Sequence, residues 1–127
     1  MRRKPMQVTI ETIVKANGHT VEQFYEGIKN LDFYLKIQMP GYMPLVIEAT
    51  PEGMISVMHY YIQNHDIMRD PEVVFDPRTW HGVEMTQDNM GFYQRVPAGM
   101  YSPGLESFNN MWAKNLRHQG FTERRRS

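Results

Sequence analysis

The chain has 127 residues, 14 Lys and Arg against 14 Asp and Glu, 41% hydrophobic residues and no cysteine. This is enough chain for one domain, 1–127, with a core of its own, because a domain near this size hides roughly two thirds of the surface its unfolded chain exposes. Without thiols, cysteine nucleophiles, disulfide frameworks, iron–sulfur clusters and Cys-based zinc sites are excluded.

Apolar runs are broken by charges or prolines well short of the ~20 residues of a membrane helix, and no signal-peptide pattern is legible, so a cytoplasmic protein without membrane association is expected. The charge is unevenly spread. Arg2, Arg3, Lys4 and Arg124, Arg125, Arg126 lie at the two ends, which read as flexible basic tails (1–7 and 122–127) around an ordered core of about 8–121. Between Asp66 and Asp88 six acids face two bases, Arg69 and Arg78. A nucleic acid would avoid that surface, and three-residue basic clusters at chain ends are poor evidence for one, so nucleic-acid binding is not expected.

In Thr9–Ala16, Ile10, Ile13 and Val14 fall at helical spacing, and Asn17-Gly18 can end the helix. Thr20 and Gln23 have the spacing of a capping box for a second helix with Val21, Phe24, Tyr25 and Ile28 on one face. From Phe33 the period becomes two, with Phe33, Leu35 and Ile37 opposed to Tyr34 and Lys36. After a turn at Met39–Pro44, Leu45–Ala49 alternates again, and Pro51-Glu52-Gly53 joins it to a strand at Met54–Ile62.

That third strand carries Ile55, Val57, His59 and Tyr61 on one face and Met54, Ser56, Met58, Tyr60 and Ile62 on the other. Both faces are largely apolar, which places it centrally or at an interface. A turn at Gln63–Asp66 leads to a strand centred on Glu72–Asp76, followed by strands at Trp80–Thr86 and Gly91–Val96 joined through Gln87-Asp88-Asn89. Ser102 and Pro103 open the last helix, Leu105, Phe108, Trp112 and Leu116 line it, and Gly120 stops it. The expected fold is α+β: a mainly antiparallel meander of five to six strands, with two N-terminal helices and one C-terminal helix packed on it.

The densest chemistry lies in His59–Glu72, with two His, two Tyr, amides, acids and Arg69 around one turn. A ligand site there would use His59, Tyr61, Gln63, Asn64, Arg69, Asp70 and Glu72, with Arg69 able to grip a phosphate bidentately. Alternatively Arg69 pairs with Asp66 or Asp70 across the turn, Asn64 and Asp66 serve turn geometry, and His59 is a hydrogen-bonded core residue. No metal motif is present and no cofactor is expected: there is no His-Glu-x-x-His pair and no calcium loop. A metal-dependent hydrolase or nuclease built on Glu48, Asp70, Glu72, Asp76 and Glu84 is the enzyme alternative, weakened because Thr50 and Thr86 stand where its lysine would. No Gly-x-Ser-x-Gly elbow or phosphate loop exists. Eleven Met and seven Tyr suit an adhesive surface, and Met39, Met43, Met90 and Met100 lie near turns.

Tyr42–Glu48, Ile55–Tyr60, Gln63-Asn64 and Met68–Glu72 with Phe75 resemble, across Phe33–Val96, an uncharacterised domain family of small proteins carried by phages, plasmids and integrative conjugative elements. The resemblance implies an accessory role in a mobile element and carries over no catalytic residue. With the residue reading, it favours a non-enzymatic, self-associating binding module acting on a host protein, in counter-defence, or on a small nucleotide-like ligand.

Overall fold

The computed structural model describes residues 3–123. Helix α1 (Pro5–Ala16) begins with proline at its first position, where a missing N–H costs no hydrogen bond. It starts ahead of the expected ordered core, and the tail reading of 5–7 is corrected accordingly: Met6 is buried with Ile10, Ile13 and Val14. Arg3 pairs with Glu11, and Lys4 reaches Glu106 at 3.2 Å. Arg2 and Arg124–Arg126 lie outside the described residues.

Helix α2 (Val21–Lys29) has the expected capping box. Thr20 Oγ1 accepts from the Gln23 N–H at 3.0 Å, and Gln23 Oε1 accepts from the Thr20 N–H at 2.8 Å. Gly27 sits where the helix meets the next segment so closely that a Cβ would lie 2.8 Å from Phe33 Cβ.

Six strands follow, β1 (Tyr34–Ile37), β2 (Leu45–Ala49), β3 (Ile55–Gln63), β4 (Asp66–Phe75), β5 (Gly82–Gln87) and β6 (Phe92–Arg95), then α3 (Pro103–His118). Every strand pairs antiparallel with its sequence neighbours, giving the sheet order β1-β2-β3-β4-β5-β6. This is the α+β meander expected from the alternation of period and turns.

The β3–β4 turn is tighter than expected. Only Asn64 and His65 separate the strands, both with positive φ (52° and 70°), the conformation of a two-residue hairpin turn whose twist matches its flanking strands. At the β4–β5 connection, Trp80 has φ 60° and cannot belong to a strand, so β5 begins at Gly82 rather than Trp80. Trp80 is buried against Phe75 and donates Nε1–H to Tyr25 Oη at 2.9 Å, while that hydroxyl donates to Glu11 Oε2 at 2.5 Å. The turn is thus tied to both N-terminal helices. Gln87–Asn89 is likewise not a plain turn, because Asp88–Met90 forms a short 3-10 helix before β6.

The helices cover one face of the sheet. Ile37, Leu45, Ile47, Ile55, Val57, Val73, Phe75 and Met85 meet Ile10, Ile13, Phe24, Leu105, Trp112 and Leu116 in a single core. β3 lies in the middle of the sheet, and only its Ile55, Val57 and His59 face is covered by the helices. Pairing register puts Lys36, Val46, Glu48, Ser56, Met58, Glu72, Val74, Glu84 and Thr86 on the opposite face, which no helix covers. Val46 and Val74 are nonetheless buried there, outside the helix-side core, shielded by their own neighbours. One of these shields is Lys36, whose Nζ lies 5.4 Å over the Tyr60 ring.

Candidate functional site

The seven residues singled out from the sequence do not converge. Between the pairs Met58↔Glu72 and Tyr60↔Arg69, β4 carries one residue more than β3, a bulge at Asp70-Pro71. The extra residue brings Arg69 and Glu72 to the same open face, with Arg69 Nη1 donating to Glu72 Oε1 at 3.3 Å. His59 points the other way, into the core.

Arg69 pairs with neither Asp66 nor Asp70. Its Nε and Nη2 donate to the two oxygens of Asp88, at 2.8 and 3.1 Å, and its backbone N–H donates to Asp88 Oδ2 at 2.9 Å. The Asp88 carboxyl is held below the usual range by that guanidinium. Asp88 comes from the 3-10 helix, brought alongside by the β4–β5 pairing, so the guanidinium staples the bulge to the β5–β6 turn. Glu72 also accepts from Ser56 Oγ at 2.6 Å. Arg69 Nε, Nη1 and Nη2 each donate to one of the protein's own carboxylates.

His59 is 6% exposed, sandwiched between Trp112 and Phe121, with Nδ1 3.2 Å from the Pro44 carbonyl. A carbonyl only accepts, so Nδ1 carries the proton. Burial pushes the His59 pKa below its ordinary value, against an opposing pull from the carbonyls of Pro44 and Met43. His59 is a core histidine. Gln63 and Asn64 are exposed at the hairpin tip, Tyr61 is half-buried, and Asp70 accepts from Gln87 Nε2 at 3.4 Å.

The carboxylates of the hydrolase alternative are also dispersed. Glu48 and Glu72 lie near each other, and burial, reinforced by Glu72, raises the Glu48 pKa. Asp76 is bound by Arg78, Glu84 accepts from the Tyr93 hydroxyl, and Asp70 sits beside Gln87. Among the described residues no three His, Asp or Glu side chains are grouped so as to hold a metal ion.

The concavity lies elsewhere, at the opposite end of β4 from the hairpin tip. A cleft of about 610 Å³ opens between the Asp76–His81 turn, the β5–β6 pair and the segment Pro97–Met100. Its apolar lining includes Met54, Val74, Val83, Val96 and Met100, and its rim carries Glu52, Asp76, Arg78, His81, Glu84 and Arg95. Val83 is the extra residue of a second bulge, since Val74 pairs with Glu84 but Phe75 with Gly82. Arg78 Nη2 and Nε reach the two oxygens of Asp76 at 3.0 and 3.2 Å, which lowers the Asp76 pKa, and the Arg78 side chain is 81% exposed. The His81 ring lies 5.5 Å from Tyr101. Arg95 has no ion-pair partner within 4.0 Å among the described residues.

A family model described as a domain of unknown function, DUF6908, matches residues 8–122. The chain belongs to the DUF6908 family. Comparison with curated proteins and with solved structures gives no match. The DUF6908 match takes in α2, α3 and all of α1 but its first three residues, whereas the resemblance read from the sequence stops at Phe33 and Val96. Of the cleft residues in this DUF6908 domain, sequence reasoning singles out Asp76 and Glu84 one by one. It did not join them to Arg78, Arg95 and Pro97–Met100. One local signal existed: Asp76-Pro77-Arg78 is spaced for the turn in which the Arg78 N–H donates to Asp76 Oδ1, at 2.9 Å.

Proposed function

We propose that this DUF6908 protein is a non-enzymatic binding module, an accessory factor of a phage, plasmid or integrative element, whose ligand is a small nucleotide-like molecule held in the cleft beside Pro97–Met100. The cleft carries this reading. Its volume of about 610 Å³ falls in the ordinary range for small-molecule pockets. Its wall is largely apolar, which suits the flat face of a base, and Arg95 on its rim, with no ion-pair partner within 4.0 Å among the described residues, suits a phosphate, whereas Arg78 is already bidentate on Asp76. The hairpin tip, where Arg69 is engaged by both Asp88 and Glu72, supports the reading less well.

Ala98 lines the cleft and is exposed, so Ala98→Trp fills it without disturbing the core. Native mass spectrometry of protein purified from cells, then titration calorimetry with nucleoside monophosphates and cyclic dinucleotides, tests the proposal. The expected result is a ligand whose binding is lost in Ala98→Trp while the melting temperature without ligand is kept. Binding that survives Ala98→Trp would remove the cleft. A melt raised by several degrees by Mg²⁺ or Mn²⁺ and reversed by EDTA would favour the hydrolase alternative, because a ligand binding only the folded state stabilises it by mass action.

A further inference from the structure

β6 is the last strand of the sheet and pairs only with β5. The Val96 N–H donates to the Val83 carbonyl at 2.9 Å, which continues the Glu84↔Arg95 register by one step. Backbone groups alternate in direction along an antiparallel strand, so Gln94 and Phe92 also face β5, whereas the N–H and C=O of Tyr93 and Arg95 face outward. An open edge of this kind is normally blunted by lysine, proline or a covering segment. Here it is flanked by exposed Met90, Phe92, Tyr93, Met100 and Tyr101.

We infer that β6 pairs antiparallel with β6 of a second copy of this chain, about a two-fold axis at Gln94, to give one continuous sheet of twelve strands. This goes beyond the cleft reading and does not rest on it, although the two share Arg95. The residues select both occupant and register. With the axis at Gln94, Tyr93 stands opposite Arg95 of the second copy, and all four outward backbone groups of each strand are satisfied. An axis at Arg95 would set two guanidiniums face to face and put Tyr93 opposite Pro97, which has no N–H to donate. An axis at Tyr93 would put Arg95 opposite Gly91, whose N–H already donates to the Asp88 carbonyl at 3.2 Å.

Side chains match the same register. Tyr93 and Arg95 lie on the open face, so each guanidinium meets a tyrosine ring across the joint, an attractive pairing of cation and π face. Each tyrosine hydroxyl donates to Glu84 of its own chain, which adds negative charge beside the incoming Arg95. On the other face, Phe92, 41% exposed, meets Val96 of the second copy.

The chain has no cysteine, so an introduced one is a unique reporter. Residues facing themselves across the axis lie ~4.5 Å apart at Cα, within disulfide reach, whereas residues one position away meet their own copies only on a diagonal of ~7–8 Å. Mild oxidation of Gln94→Cys is therefore expected to cross-link at least tenfold faster than that of Tyr93→Cys. Light scattering on the full chain at ~0.5 mM, a concentration suited to a contact smaller than the standard ~1,600 Å² interface, is expected to give a dimer. Tyr93→Pro removes an outward N–H, which an edge strand tolerates, and is expected to give a monomer that still unfolds cooperatively. A monomeric wild type, a Tyr93→Pro dimer, or equal cross-linking at 93 and 94 would each overturn the proposal. If Tyr93→Pro does not fold, light scattering of the wild type and the two cysteine variants decide it.

Discussion

Arg69→Met tests whether the guanidinium is a structural staple or a ligand grip. The variant keeps most of the apolar stem and loses the bonds from Nε and Nη2 to Asp88 and from Nη1 to Glu72. It keeps the Arg69 N–H on Asp88 Oδ2 and the Ser56 hydroxyl on Glu72. Exposed ion pairs contribute ~0.2–1 kcal/mol, and bidentate charge-assisted ones stand at the upper end. With the Arg69 side chain 42% exposed and Asp88 24%, screening holds the loss to about 1 kcal/mol. At ~2.1 cal/mol/K per residue this lowers the melting temperature by about 4 °C.

A double-mutant cycle of Arg69→Met with Asp88→Asn, followed by urea denaturation, is expected to give a coupling of ~1 kcal/mol at neutral pH. Because the folded Asp88 pKa is lowered, its contribution is complete above the ordinary carboxylate value of ~3.9 and is lost as pH falls through the lowered one. Molar salt should shrink the coupling. A coupling under ~0.3 kcal/mol at neutral pH, or one indifferent to salt, would refute the staple. So would lost ligand affinity with stability unchanged.

Three further outcomes follow from packing. Gly27→Ala puts a Cβ 2.8 Å from Phe33 Cβ and 3.4 Å from its Cα, atoms that cannot swing away, and should cost ~1–3 kcal/mol by thermal melt despite alanine's better helix propensity. His59 is favoured neutral in the fold, so the stability tied to it is present above the unfolded value of ~6.5 and declines as pH falls below it. His59→Phe should flatten that decline between neutrality and the carboxylate range, and an identical pH profile would count against it. Asn109 is 2% exposed, and neither Nδ2 nor Oδ1 has a hydrogen-bond partner among the described residues. Asn109→Val, close in volume, should raise stability by ~1–2 kcal/mol in urea titration, and a loss would show that the amide is satisfied.

Local signals carried most of the architecture. The capping box at Thr20 and Gln23, the Ser102-Pro103 helix start and the Pro51–Gly53 turn act within a few residues, and each turns up where the sequence places it. Alternation in Phe33–Ile37 and Leu45–Ala49 likewise fixes which side chains face the helices, because a strand's period of two leaves no other choice once one face is apolar. The site was far less legible. Arg69 has carboxylates three residues to either side in sequence, yet its main partner is Asp88, delivered by strand pairing. The bulge at Asp70-Pro71 moved Arg69 and Glu72 onto one face, a one-residue shift that periodicity does not announce.

The cleft shows the same division. Its walls come from the β2–β3 turn, β4, the β4–β5 turn, β5, β6 and the chain after it, segments that share no local pattern. By itself the sequence determined the elements, their order and the buried face of each, since these follow from propensity, capping and apolar period over short stretches. Only the tertiary structure decided which charges meet, where a cavity opens and which sheet edge stays unpaired. Those depend on the register between distant strands, where a slip of one residue changes every partner.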